Sequence, residues 1–257
     1  MVSLENKMVF ITGASSGIGK SCARAFAEQG ARLILAARRL ERLEDLAVEL
    51  KRKPGQDILL LSLDVRKQPA VERAVNGLPA EWAAIDVLVN NAGLSRGLDK
   101  IHEGKLEDWE EMIDANIKGL LYVSRAVIPG MVKRGRGHII NLGSIAGYEV
   151  YPGGNVYCAT KFAVRAISKG MRIDLNGTPI RVSEIAPGMV ETEFSLVRFR
   201  GDKERAGKVY QGLTPLSPDD IADAVVYCAT RPPHVNIEAM IVTPTAQAAA
   251  TIFHRKP

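Results

Sequence analysis

Thr12-Gly13-Ala14-Ser15-Ser16-Gly17-Ile18-Gly19 follows the apolar run Met8-Val9-Phe10-Ile11 and opens a stretch with helical spacing of apolar residues. The order is strand, glycine-rich turn, helix. Glycine tolerates positive φ and puts no Cβ between backbone and ligand, and a helix starting near Gly17 aims its unpaired N–H groups at an anion. Gly13, Ser15, Ser16, Gly17, Ile18 and Gly19 therefore read as a phosphate cradle, with a dinucleotide as the expected occupant. A glycine triplet alone is a weak signal, because any tight strand-to-helix turn uses glycine. The rest of the chain has to decide.

Outward from that turn, short β-branched or leucine-rich runs alternate with longer amphipathic stretches. Strands are expected near residues 8–13, 32–37, 58–63, 85–90, 137–143, 180–186 and 238–243, with helices between most of them. Ile58-Leu59-Leu60-Leu61-Ser62-Leu63 is almost continuously apolar, as befits a parallel strand covered on both faces. Seven such strands with intervening helices predict an α/β fold, a Rossmann-type doubly wound parallel sheet whose ligands lie beyond the carboxyl ends of the strands. The 257 residues, 46% of them apolar, suit one domain spanning 1–257. From Pro187 to Leu216 the pattern lapses, and a stretch of that length inside a compact domain reads as a substrate lid, about 190–215, with a short helix.

Charge and composition exclude several function classes. The net charge of +5 comes from scattered groups (Arg38, Arg39 and Arg42; Lys51, Arg52 and Lys53; Lys133, Arg134 and Arg136; Arg198, Arg200 and Lys203) without the interleaved aromatics of a nucleic-acid groove. The four apolar residues before Thr12 are too few for a signal-peptide core or a membrane span, so a cytoplasmic protein is expected. Cys22, Cys158 and Cys228 stand far apart, and His102, His138, His234 and His254 share no ligand-like spacing, so neither disulfides nor a metal site are expected. Cys158 lies about 100° around a helix from Tyr157 and reads as a small buried side chain.

The chemistry gathers downstream. Tyr157 and Lys161 are four apart at the start of a helical stretch and share one face, while Ser144 ends the strand Ile139-Ile140-Asn141-Leu142-Gly143-Ser144 at the ligand edge of the sheet. A phenol with an ordinary pKa of about 10 is a poor base, but an ammonium about 4 Å away at an effective dielectric near 20 contributes roughly 4 kcal/mol. That corresponds to about three pKa units before desolvation. A Tyr-x-x-x-Lys pair alone reads equally as a solvated helix face.

Taken in order, the glycine-rich turn, Asn90-Asn91-Ala92-Gly93, Ser144, Tyr157-Cys158-Ala159-Thr160-Lys161 and Pro187-Gly188-Met189-Val190-Glu191-Thr192 resemble the short-chain dehydrogenase/reductase family, from about Asn6 to Val242. The resemblance implies that Tyr157 is the general acid or base, that Ser144 positions the substrate oxygen, and that Lys161 lowers the tyrosine pKa and holds the nicotinamide ribose. It implies a proton-relay role for Asn116, whose backbone carbonyl binds a water. Spacing alone reads Asn116 as a packing residue within a helix. By the same resemblance Asn90, Ala92 and Gly93 line the cofactor, Asp64 and Val65 flank adenine, and the segment with Pro187, Gly188, Val190 and Thr192 holds the nicotinamide amide.

The end of the second strand selects the cofactor. An NAD enzyme places Asp or Glu about 20 residues after the glycine turn. Here Leu33-Ile34-Leu35-Ala36-Ala37 runs into Arg38-Arg39, and arginine takes a 2′-phosphate through charge-assisted bonds. NADP is expected. Within the family, Leu78-Pro79-Ala80-Glu81-Trp82, Gly153-Gly154-Asn155-Val156-Tyr157 and the segment Phe194–Asp202 look most like NADP-dependent 3-hydroxy acid dehydrogenases, a branch that includes serine dehydrogenases. The expected substrates are therefore small hydroxy acids or the matching 3-oxo compounds, bound by Ser144 and Tyr157, with Arg198 or Arg200 in the lid as partner of a carboxylate. The alternatives are a broad carbonyl or 3-oxoacyl reductase and a non-catalytic NADP-binding regulator. Long helices expected over 109–133 and 155–176 imply, by resemblance, a homotetramer, and the apolar tail 244–257 is expected to dock on a neighbour.

Overall fold

A computed structural model describes residues 2–51 and 55–256. Arg52 and Lys53 of the basic groups above, and the last residue of the tail, lie outside them. All seven expected strands form: β1 (Met8–Thr12), β2 (Arg32–Ala37), β3 (Ile58–Ser62), β4 (Val87–Asn90), β5 (Gly137–Leu142), β6 (Ile180–Pro187) and β7 (Ala239–Val242). They make one parallel sheet in the order β3-β2-β1-β4-β5-β6-β7. The order reverses between β1 and β4, and the crevice at such a switch point is where this class of sheet binds its ligand.

Strand alternation explains why these runs are apolar throughout. Val9, Ile11, Leu33 and Leu35 face one side of the sheet and pack with helix α1 (Gly17–Glu28), α2 (Leu40–Leu50) and α9 (Pro218–Ala229). Met8, Phe10, Ile34 and Ala36 face the other and pack with α3 (Gln68–Asn76) and α5 (Leu120–Arg134). Both layers are shut off from water, so each buried Leu, Ile or Phe contributes on the order of 1.5–3 kcal/mol. Small side chains at Cys22, Ala23, Ala222 and Ala229 belong to the first core, where α1 meets α9. Ser217 and Asp220 cap α9 reciprocally, with Pro218 in its first turn.

The helix expected over 109–133 is interrupted. It comprises α4 (Leu106–Ile113), a widened π-helical turn over Asp114–Gly119, and α5. The helix α6 (Asn155–Asp174) is continuous and buries Tyr157, Lys161, Val164 and Ser168 along one face. Residues 190–215 carry two short helices, α7 (Phe194–Arg198) and α8 (Lys203–Lys208), where one was expected. The tail returns over its own chain: Lys256 N–H donates to Gly212 O, Arg255 donates to Val209 O and Gln211 O, and Ala250 N–H donates to Glu149.

Candidate active site

A cleft of about 560 Å³ opens at the carboxyl ends of β1, β4, β5 and β6, within the range of small-molecule and cofactor sites. One end is the glycine-rich turn. Gly13 and Gly17 have φ of +66° and +52°, the left-handed region that L side chains rarely occupy. A Cβ on Gly13 would meet Ala92 Cα at 2.9 Å, and one on Gly17 would meet Thr192 at 3.3 Å, so the turn is packed against both β4 and the base of the lid. Gly13, Ser15, Ser16, Gly17 and Ile18 line the cleft. Gly19 does not: a Cβ there would collide with Asn91 and Gly13 O, so its role is close packing of helix on turn.

Arg38 and Arg39 stand beside that turn. Arg39 donates to Ser16 Oγ at 3.2 Å and Ser15 Oγ at 3.4 Å. Glu193 at the lid's base lies 3.5 Å from Arg39 and receives two 2.8 Å bonds from Arg42. Asp64 and Val65 line the same end, and Arg66 beside Asp64 helps hold that carboxyl below its ordinary pKa against the opposing effect of burial.

At the other end, β5 and α6 bring Ser144, Tyr157 and Lys161 to one wall. Ser144 accepts from Ala146 N–H at 3.1 Å and caps the short helical turn that follows β5. Lys161 is buried, and its Nζ donates to Leu142 O at 2.9 Å. Burial pushes its pKa down to about 8, opposed by Glu184. The Tyr157 phenol behaves otherwise than the four-residue spacing suggests. Burial pushes its pKa up, and the groups that pull it back are the Arg198 guanidinium and then the Ser144 hydroxyl. Lys161 Nζ is 5.9 Å from the ring centroid and bonded to Leu142 O, while the Arg198 guanidinium is the cation that pulls the phenol pKa down.

Arg198 supplies the nearest guanidinium. Its Cζ lies 5.3 Å from the Tyr157 centroid and 5.0 Å from that of Phe194, and its nitrogens donate to Ser95 Oγ (3.1 Å) and Tyr151 OH (2.9 Å). Among the described residues it makes no ion pair, and it lines the cleft. Arg200 does not line the cleft. It turns away to pair with buried Asp108, so the expectation that it meets the substrate is corrected: its charge is already spent on a lid latch. Arg96, tied to Glu111, donates to Val197 O at 2.5 Å and makes a second latch.

Asn90 is buried and donates to Ser124 and Asn141 within the sheet–helix core, so it does not line the cleft. Its neighbour Asn91 does, and donates to Thr12 O and Gly13 O, because adjacent residues at a strand end face opposite sides. Asn116 sits in the π-helical turn with its side chain bonded to Leu94 N–H, Leu94 O and Thr160, so its amide is engaged in packing the turn against the strand end and α6. Ala92, Gly93, Pro187, Gly188, Val190 and Thr192 line the cleft as expected. Tyr151, Phe194, Gln247, Phe253 and Arg255 line it too. No local pattern marks these residues: the chain between β5 and α6 brings Tyr151 there, and the fold of lid and tail brings the others.

Comparison with known proteins fits this geometry. The profile of the family described as short chain dehydrogenase matches residues 7–201. The chain belongs to that family. Among its relatives, an NADP-dependent 3-hydroxy acid dehydrogenase of Salmonella typhi is 53% identical over 96% of this chain and 99% of its own length. One from Schizosaccharomyces pombe is 44% identical over 100% and 99%. The closed form of a serine dehydrogenase complexed with NADP+ superposes with a TM-score of 0.91 at 48% identity, covering 97% of this chain and 99% of that one. As a short chain dehydrogenase, the protein is an oxidoreductase acting on CH–OH groups. No helix among the described residues is long and apolar enough to cross a membrane.

Proposed function

We propose that the protein is an NADP-dependent dehydrogenase that oxidises the 3-hydroxyl of small hydroxy acids, of the serine, 3-hydroxyisobutyrate or 3-hydroxypropionate class, and reduces the matching 3-oxo compounds. The observation that carries it is Arg198: a guanidinium without a carboxylate partner, held by neutral hydroxyls beside the Tyr157 ring. A substrate carboxylate supplies the missing charge through paired bonds that arginine geometry favours. Relatives and structural neighbours named for 3-hydroxy acids, serine and NADP support the same reading.

The residues present fit NADP. The N-terminal turn of α1, whose Gly13 and Gly17 line the cleft, offers backbone N–H groups to an anion, and Arg38 and Arg39 provide the positive charge a 2′-phosphate needs. Asp64 and Val65 would flank adenine, Ala92 and Gly93 the near ribose, and Pro187 to Thr192 the nicotinamide amide. When bound, the cofactor exchanges a hydride with the carbon that carries the substrate oxygen. Ser144 donates to that oxygen and orients it, while Tyr157 takes the hydroxyl proton in oxidation and returns it in reduction. Burial favours the neutral phenol, and Arg198 and Ser144 stabilise its anion, so the proton is exchangeable in both directions. Lys161 holds the ribose, and the Asn116 backbone carbonyl holds a water through which protons pass to Lys161.

Residues 190–215 act as the lid and 244–256 as a strap across it, with the Arg200–Asp108 pair and the Arg96–Val197 bond as latches. We assign the protein to the cytoplasm, which free Cys22, Cys158 and Cys228 support, and to a homotetramer. Exposed Leu106, Leu121, Phe162 and Ile173 on α4, α5 and α6 support that assembly. The test is NADPH formation across L-serine, 3-hydroxypropionate, 3-hydroxyisobutyrate and neutral secondary alcohols of similar size. The acids should give the higher kcat/KM. Equal or better turnover of the neutral alcohols overturns the acid assignment in favour of a broad carbonyl reductase.

A further inference from the structure

Glu184 lies in the middle of β6, in register with Asn141 of β5, and is only 2% exposed. A carboxylate inside a covered parallel sheet is costly unless its oxygens are satisfied. One is: Tyr148 OH donates to Oε2 at 3.1 Å. The other, Oε1, is buried with no protein hydrogen-bond partner. Oε1 occupies the space that a side chain at residue 143 would fill, since a Cβ on Gly143 would collide with it. Gly143 is thus the residue that admits the carboxylate, one position before Ser144.

The opposite end of that same peptide unit holds Lys161. Its Nζ bonds Leu142 O, the carbonyl joined to Gly143 N, so the buried ammonium is tied to the peptide that runs into the glycine against which the buried carboxylate lies. Lys161 has no salt-bridge partner among the described residues, and Glu184 is the group that opposes its loss of charge. The groups facing Glu184 are Tyr148, then Lys161, Arg165 and Arg172 of α6, with Glu238 beside Tyr148. Arg165 stacks on the Tyr148 ring at 4.1 Å, and Arg172 pairs with Glu238, which leaves Lys161 as the buried cation without an anion of its own.

We propose that Glu184 is a positioning residue of the active site: held by Tyr148 and admitted by Gly143, its carboxylate is the counter-charge that keeps Lys161 cationic for the cofactor ribose. This rests on the reading of Lys161 as the residue that holds that ribose. The sign follows from the two partners. Burial raises the Glu184 pKa, the Tyr148 hydrogen bond is the strongest of the effects that oppose this, and the Glu184 charge favours the proton on Lys161, so removing either partner makes Lys161 lose its proton at lower pH.

The test is NADPH affinity, read by its fluorescence, from acid to alkaline pH in the wild type, Glu184→Gln, Tyr148→Phe and Lys161→Met. Wild-type affinity should weaken as the pH passes about 8, where Lys161 titrates. Glu184→Gln should bring that weakening down by about one pH unit, the low end for an opposite charge nearby. Tyr148→Phe should move it the same way by less, and it decides the matter if circular dichroism shows Glu184→Gln to be unfolded. Lys161→Met should bind weakly with no such pH dependence. Titration of Glu184→Gln or, where that fails to fold, of Tyr148→Phe at the wild-type pH overturns the proposal alone. Wild-type binding by Lys161→Met overturns the role of Lys161 as well.

Discussion

Replacing Arg39 by alanine separates the two things this side chain can do. It donates to Ser15 and Ser16 of the glycine-rich turn, and its guanidinium stands, with Arg38, where the 2′-phosphate is to bind. A hydrogen bond to a charged group is worth about 1.5–3 kcal/mol, and because the Arg39 side chain is 41% exposed, solvent screening places it near the lower bound. Each 1.4 kcal/mol is tenfold, so Kd for NADP should rise about 10- to 30-fold. NAD lacks the phosphate, and its Kd should stay where it is. Glu193→Gln works in the opposite direction, because it frees Arg39 and Arg42 from a carboxylate that competes with the phosphate. The assay is calorimetric or fluorescence titration of both dinucleotides at fixed ionic strength. An equal loss of NADP and NAD affinity in Arg39→Ala refutes the reasoning, since it would mean that Arg39 only braces the turn.

Three further outcomes follow from the same structure. Arg198→Ala should raise KM for a hydroxy acid by about tenfold or more, from loss of a charged bond, and leave KM for neutral alcohols unchanged; equal effects on both would remove Arg198 from substrate recognition. Gly19→Ala places a Cβ on Asn91 and Gly13 O, so overpacking should cost about 1–3 kcal/mol in denaturant unfolding, and a wild-type midpoint would contradict the close packing described. Burial holds Lys161 at about 8 against an ordinary value of 10.5, so the unfolded chain binds more protons between those values and stability gained through this group rises with pH across that window. Buried Cys22 and Cys228, raised by burial above their ordinary 9.0, act in the opposite sense at the alkaline end. The difference between wild type and Lys161→Met therefore carries this dependence: relative to the mutant, wild type should gain about 3 kcal/mol as pH rises from below 8 to above 10.5. A gap that does not change with pH would mean that Lys161 is not desolvated.

The strands were legible because both faces of each are covered. Val9, Phe10 and Ile11 must all be apolar, whichever side they face, and a run of that kind bounded by glycine has few other readings. The positions of Ser144, Tyr157 and Lys161 were legible because a strand end and a helix face fix them locally. What sequence periodicity missed depends on tertiary choice. The break at Asp114–Gly119 does not alter the apolar spacing on either side, so 109–133 reads as one helix. Arg198 and Arg200 are two residues apart in the same lid, and only the location of Asp108 determines which one stays unpaired. Phe253 and Arg255 reach the cleft because the tail folds back on Gly212, a contact more than forty residues away in sequence. Glu184 carries no signal at all until β6 is set beside Gly143.

The claim on which the account turns is that the Tyr157 hydroxyl moves the substrate proton. Tyr157→Phe deletes one oxygen from a packed ring that meets Phe194 edge-on at 5.6 Å, so the fold and the cleft should persist. Steady-state NADPH formation with a 3-hydroxy acid, measured together with NADPH binding on the same sample, tests it directly. The variant should bind NADPH within a small factor of wild type and lose nearly all turnover; bound cofactor with more than a tenth of the wild-type rate would show that another group carries the proton.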